Sequence, residues 1–251
     1  QIELLESDVP GIRVRTNLVY LPTGENNLVY KSAKLLMDEY QITKGVDISL
    51  KKFIPVAAGL GGGSSDAAAV LVGINRMFGL GLSIKQLEER GARIGADVPY
   101  CVLRGTALAE GIGEILTPLP LMPSCFILVA KPGISVSTRN IYKNLDLKKV
   151  KQHPDIDGMT AAIREGSLTG VTSRMSNVLE FVTIGEYPII REIEEKMIEL
   201  GAGNAAMSGS GPSVFGIFDD EKKAERAYRK LKHTSLIRQI FLTKPFGRRG
   251  K

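Results

Sequence analysis

Between Pro55 and Val70 the chain reads PVAAGLGGGSSDAAAV, in which Gly59, Leu60, Gly61, Gly62 and Gly63 run directly into Ser64, Ser65 and an alanine-rich segment. Glycine has no Cβ, so such a run lets backbone N–H groups turn towards a bound anion without steric cost. A helix that starts immediately afterwards adds its own unpaired N–H groups and the positive end of its dipole. Ser64 and Ser65 add hydroxyl donors at the same place. A flexible turn before a helix would need one glycine, and each further one costs roughly 0.5–1 kcal/mol in backbone order. The stretch therefore reads as a cradle for a polyphosphate. It is not a P-loop, because no Gly-Lys-Ser or Gly-Lys-Thr occurs in the chain. The dinucleotide fingerprint is met only at GAGNAA, residues 201–206, where it follows a helical pattern instead of a strand and is a chance match.

Around this stretch strands and helices mix without a strict alternation. IRVRTNLVYLP and GVDISLKKFIPV alternate in polarity and are rich in β-branched residues, which predicts strands. Between them Leu28, Ala33, Leu36, Met37 and Tyr40 recur at helical spacing. A second helix is expected from about Ser65 to Phe78, and a third from SIKQLEERGARIG, where Ser83 and Gln86 have the spacing of a capping box. CFILVAKPGISV predicts a buried strand that breaks at Pro132-Gly133. YPIIREIEEKMIELG predicts a helix with Ile190, Ile193, Met197 and Leu200 inward and Gly201 as its stop. NAAMSGSGPSVFGIFDD predicts strand, loop, strand; then follow a helix with Ala224, Ala227 and Leu231 on one stripe, and the strand LIRQIFLTKPF. The fold class is α+β. The three prolines of LTPLPLMPSC mark the expected domain boundary, giving domains of residues 1–123 and 124–251.

Composition narrows the function classes. The net charge is +6, but the lysines lie on ordinary helix faces and no aromatic-and-basic platform accompanies them, which argues against nucleic acid. A positive excess also suits an enzyme whose substrates carry several phosphates. No apolar run is long enough to span a membrane. The opening QIELLESDVP has no basic stretch leading into an apolar core, so a cytoplasmic protein is expected. Cys101 and Cys125 lack metal-ligand spacing and read as reduced, buried thiols.

Pro55–Ser65 resembles the second motif of the GHMP kinase superfamily, P-x-x-x-G-L-G-(G/S)-(G/S)-(S/A)-(S/A). AAMSGSGPSVFGIF, residues 205–218, is similar to that superfamily's third motif, a second glycine loop. IGADVPYCVLRGTALAEGIGEIL, residues 94–116, narrows the resemblance to the kinases of 4-diphosphocytidyl-2-C-methyl-D-erythritol. The resemblance implies a two-domain GHMP kinase fold, with a ribosomal-protein-like N-terminal domain and a ferredoxin-like C-terminal domain. It implies transfer of a phosphoryl group from ATP, with Mg²⁺, to the 2-hydroxyl of that cytidine diphosphate ester, in the non-mevalonate route to isoprenoid precursors. Asp97 falls on the catalytic aspartate, which orients the alcohol and takes its proton; the alternative is that it caps the turn at Val98-Pro99. Residues 59–65 match the triphosphate loop, and Lys52 and Asn27 match nucleotide contacts. Thr138 and Tyr142 match the segment that approaches the cytidine, with Tyr142 stacking on the base unless it faces the core. Gly209, Ser210 and Gly211 match the loop beside the transfer centre. No residue is implied as a metal ligand.

One part of the family pattern is missing. Its first motif, K-(I/V/L)-N followed by D-G-(Y/F)-H, does not occur, and His153 and His233 lie in unrelated contexts. The chain's opening resembles the family's next strand, so the sequence is expected to begin after that motif. A monomer or weak homodimer acting on a small molecule, without nucleic-acid or membrane partners, is implied. Two alternatives stay open: a homoserine- or mevalonate-type kinase, and an ATP-binding module that transfers nothing.

Overall fold

The structure is a computed structural model and describes residues 1–146, 148, 150 and 153–247. The chain divides into two compact units, Gln1–Val56 with Gly61–Thr117, and Ala57–Leu60 with Pro118–Lys251.

The first unit opens with strands β1 (Ile2–Ser7) and β2 (Ile12–Thr16), helix α1 (Leu28–Glu39) and strand β3 (Gly45–Leu50). β3 lies between the other two, antiparallel to β1 and parallel to β2. Parallel neighbours require a crossover, and α1 supplies it. Period-two alternation turns Val46, Ile48 and Leu50 inward from the central strand. They pack against Val29, Ala33, Leu36 and Met37 of α1 and against Ala67, Val70, Leu71 and Ile74 of α2 (Gly62–Met77). Tyr40 ends α1 as its C-cap and is exposed instead of continuing the stripe. Helix α3 (Ile84–Ala92) carries the full capping box: Ser83 Oγ accepts from Gln86 N, and Gln86 Oε1 accepts from Ser83 N. The short helix α4 (Val98–Leu103) and the hairpin of β4 (Thr106–Glu110) and β5 (Ile115–Leu119) follow.

The second unit contains strand β6 (Phe126–Lys131), helices α5 (Thr138–Asn144), α6 (Ile156–Arg164), α7 (Leu168–Thr172), α8 (Glu180–Glu186) and α9 (Ile189–Glu199), strands β7 (Asn204–Met207) and β8 (Val214–Phe218), helix α10 (Glu221–Lys232) and strand β9 (Gln239–Thr243). The strands form an antiparallel sheet in the order β7-β8-β6-β9, with Leu128 opposite both Gly216 and Leu242. Ile190, Ile193 and Met197 of α9 and Ala224, Ala227 and Leu231 of α10 form one core with Leu128, Val214 and Phe218 of the sheet. Cys101 and Cys125 are free thiols. Among the described residues no helix is long and apolar enough to cross a membrane.

Candidate active site

Helix α2 begins at Gly62, earlier than the expected start near Ser65, so two of the glycines lie inside its first turn. Gly61 is the N-cap in the left-handed region, at φ 58°, and no side chain caps the helix. The first intrahelical bond is Ser65 N to Gly61 O, 2.8 Å, so the amides of Gly62, Gly63 and Ser64 stand ahead of it. Poor helix propensity matters little in a turn whose amides have no helical partner.

Gly62 also leaves room for a cation. A Cβ there would sit 3.0 Å from Lys52 Nζ and 2.9 Å from Ile54 Cγ2. Lys52 forms an ion pair with Asp66, the next turn of α2, and the two side chains are only 5% and 13% exposed. The backbone of Lys52 is held as well, since its N–H donates to Asn17 Oδ1 at 2.8 Å and its carbonyl accepts from Asn17 Nδ2 at 3.2 Å. Asn27 is used locally: Oδ1 accepts from Val29 N at 3.0 Å, capping α1, and Nδ2 donates to Pro22 O at 2.6 Å.

Asp97 stands at the N-cap position of α4, but its side chain makes no capping bond. Its carboxylate is exposed and has no hydrogen-bond or ion-pair partner among the described residues. One turn on, burial pushes the Cys101 thiol up to about 11, and the charges of Asp97 and Asp66 push it further the same way. Both carboxylates therefore face one protonated thiol. Glu114, by contrast, closes its own turn by accepting from Ile112 N at 2.8 Å.

In the second unit the other glycine loop meets the start of the first. Gly59 has φ +72°, and a Cβ on it would lie 2.1 Å from Ser208 O and 3.0 Å from Gly211 O. Ser208 Oγ donates to Gly59 O at 2.8 Å, and Ser213 N donates to Ala58 O at 3.4 Å. Ser210 is buried, and its hydroxyl lies 2.7 Å from that of Thr138, the first residue of α5. Tyr142 is 60% exposed while its neighbour Ile141 is buried, so the tyrosine, not the core, owns the open face of α5. The sequence by itself assigns no role to Asn17, Asp66, Asn177 or Glu180. The last two form an N-x-x-E spacing, a recognisable capping signal, although the structure uses them against β7.

The models for the GHMP kinases N terminal domain and the GHMP kinases C terminal domain match residues 27–105 and 159–235. A protein of Lachnospira eligens named 4-diphosphocytidyl-2-C-methyl-D-erythritol kinase is 54% identical over 94% of this chain and 82% of its own length. The chain belongs to the 4-diphosphocytidyl-2-C-methyl-D-erythritol kinase family. A relative of the same name in Alkaliphilus metalliredigens is 46% identical over 99% of this chain and 84% of its own. A crystal structure of a 4-(cytidine 5'-diphospho)-2C-methyl-D-erythritol kinase superposes with a TM-score of 0.79 at 30% identity, covering 98% of this chain and 87% of that one. A homoserine kinase from Cytophaga hutchinsonii reaches the same TM-score, 0.79, at 20% identity, over 98% of this chain and 85% of that one. Backbone shape alone therefore identifies the GHMP kinase fold, and residue identity separates this family from the homoserine kinases. The chain is a small-molecule kinase with the α+β GHMP architecture.

Proposed function

We infer that the protein transfers the γ-phosphoryl group of ATP to the 2-hydroxyl of 4-diphosphocytidyl-2-C-methyl-D-erythritol. The observation that carries this reading is the exposed, unpartnered carboxylate of Asp97 in a chain of this family that also presents an uncapped glycine helix start. The amides of Gly62, Gly63 and Ser64, with the hydroxyls of Ser64 and Ser65, receive the nucleotide's phosphates. Gly59, Leu60 and Gly61 shape the approach, and Lys52 sets a positive charge beside Gly62. Asn27 acts through the start of α1, because its own amide is engaged. Among the described residues no three His, Cys, Asp or Glu side chains group to hold a metal ion, and Asp66 is engaged by Lys52. Mg²⁺ would enter with the nucleotide, and the charge it supplies would offset that of the phosphates.

Asp97 accepts the proton of the 2-hydroxyl as that oxygen bonds to the γ-phosphorus; the bond to the bridging oxygen breaks and ADP leaves. Gly209, Ser210 and Gly211 match the loop that serves the transfer step in this family. Thr138 orders Ser210 through their shared hydrogen bond, and the exposed ring of Tyr142 stacks on cytosine. Asp97→Asn tests the reading in the intact protein. Turnover with the cytidine ester should fall by roughly 10²–10⁴-fold, with the KM for ATP and the melting temperature unchanged. Near-parental turnover would remove Asp97 from the chemistry.

A further inference from the structure

The loop 208–211 is closed by its own turn, with Gly211 N donating to Ser208 O at 3.0 Å, but that bond leaves its ends to be held from outside. Gly209 and Gly211 both take positive φ, 59° and 84°, so the loop relies on what grips its ends. Two side chains do so. Asn177 Nδ2 uses both hydrogens, donating to Met207 O at 2.9 Å and to Gly209 O at 2.8 Å, while Asn177 Oδ1 accepts from Leu179 N at 3.0 Å. Glu180 Oε1 accepts from Met207 N at 2.7 Å.

Behind Glu180 stands a second carboxyl. Glu194 of α9 is 4% exposed, and its Oε1, as a carboxylate oxygen, has no hydrogen-bond donor among the described residues. The two carboxyls are nonetheless placed to share a hydrogen bond. Ionised carboxylates only accept, so that bond requires one proton held between them. The groups acting on Glu194 are few. α9 itself contributes Arg191, whose Nη1 is 3.8 Å away, α8 contributes Glu180, and β7 contributes the uncharged Met207 amide. Two carboxyls in one buried place cost free energy unless they are bonded, and here the bond leads directly to the glycine loop.

We propose that Asn177 and the proton-sharing Glu180–Glu194 pair are positioning residues that hold the backbone of the 207–211 segment in the geometry phosphoryl transfer requires. The proposal rests on the reading of this chain as a kinase in which that loop serves the transfer step. Burial, and then the charge of Glu180, pushes the Glu194 carboxyl up to about 8. Losing the proton leaves two buried like charges, which separate and disturb the acceptor of Met207 N.

The experiment follows the loop and the activity separately. The amide resonances of Met207, Gly209 and Gly211 are titrated by NMR in the parent protein and in Glu194→Gln, alongside kcat with ATP and the cytidine ester. In the parent the three resonances should move together with a midpoint near 8, and kcat should fall by about tenfold per pH unit above it. Glu194→Gln donates a permanent hydrogen to Glu180 and should abolish both changes. Resonances that stay still in the parent, or titrate identically in Glu194→Gln, would overturn the proposal. The parent titration needs no variant, so a misfolded Glu194→Gln would still leave a decisive measurement. A protein without kinase activity towards the cytidine ester would sink the functional reading, whereas a static loop in an active kinase would overturn this proposal alone.

Discussion

Gly59→Ala isolates the joint between the two glycine-rich stretches. At φ +72° an L-residue is strained, by roughly 1–2 kcal/mol on the left-handed side. The new methyl would also lie 2.1 Å from Ser208 O, a backbone atom that cannot rotate away. Relief requires the segments to part by roughly 1 Å or more, which lengthens Ser208 Oγ to Gly59 O and Ser213 N to Ala58 O, now 2.8 and 3.4 Å. Each bond lost removes about 0.5–1.5 kcal/mol. Together these effects predict a destabilisation of about 2–5 kcal/mol, read from urea unfolding of the parent and the variant. Because Leu60 and Gly61 follow directly, a displacement of about 1 Å should also lower kcat/KM for ATP by up to ~10²-fold. Gly24→Ala serves as the control, since a Cβ there meets nothing within 4 Å; it should be neutral or stabilise by up to about 1 kcal/mol. If Gly59→Ala behaved like Gly24→Ala in both assays, the joint would not exist in solution.

Asp66→Ala leaves Lys52 buried without its partner and should cost about 3–5 kcal/mol in urea unfolding, whereas Lys52→Met with Asp66→Leu should recover most of that loss. Tyr142→Ala should raise the KM for the cytidine ester by roughly 5- to 150-fold, equivalent to about 1–3 kcal/mol, with little change for ATP or in melting temperature because the ring is exposed. Global stability should depend on pH through Glu194, whose folded value is raised by burial from 4.5 to about 8. That contribution is fully present below the unfolded value of 4.5 and is lost as pH rises through about 8; thermal melts from pH 5 to 9 should decline over this window and flatten in Glu194→Gln.

Signals confined to a few neighbouring residues were legible in the sequence. The Ser83–Gln86 capping box, the buried stripe Ala224, Ala227 and Leu231, and the inward positions Ile190, Ile193 and Met197 all depend on helical spacing within one element. The strands β2, β3, β6 and β9 follow from alternation and β-branching. Glycine weighs against helix in any propensity argument, which sets the expected start of α2 later than Gly62, yet in a first turn without helical partners that weight is small. The short helices α4 to α8 and the β4–β5 hairpin carry too few residues for a period to show.

The sequence alone determined that a glycine-serine stretch leads into a helix and that Asp97 lies in a family-specific motif, because both are properties of adjacent residues. It could not tell whether Asp97 caps its turn; only the folded chain leaves that carboxylate without a partner. Nor could it tell that Asp66 would meet Lys52, since an aspartate on a first helical turn looks the same whether it faces solvent or a buried ammonium. The tertiary structure also assigned Ala57–Leu60 to the second unit, through a bond between residues 149 apart in the chain. It brought Glu180 and Glu194 together from separate helices behind the glycine loop. Such pairings are selected by which surfaces become buried together. Their energy exists only once water has been excluded from both partners, and no local pattern of residue types encodes it.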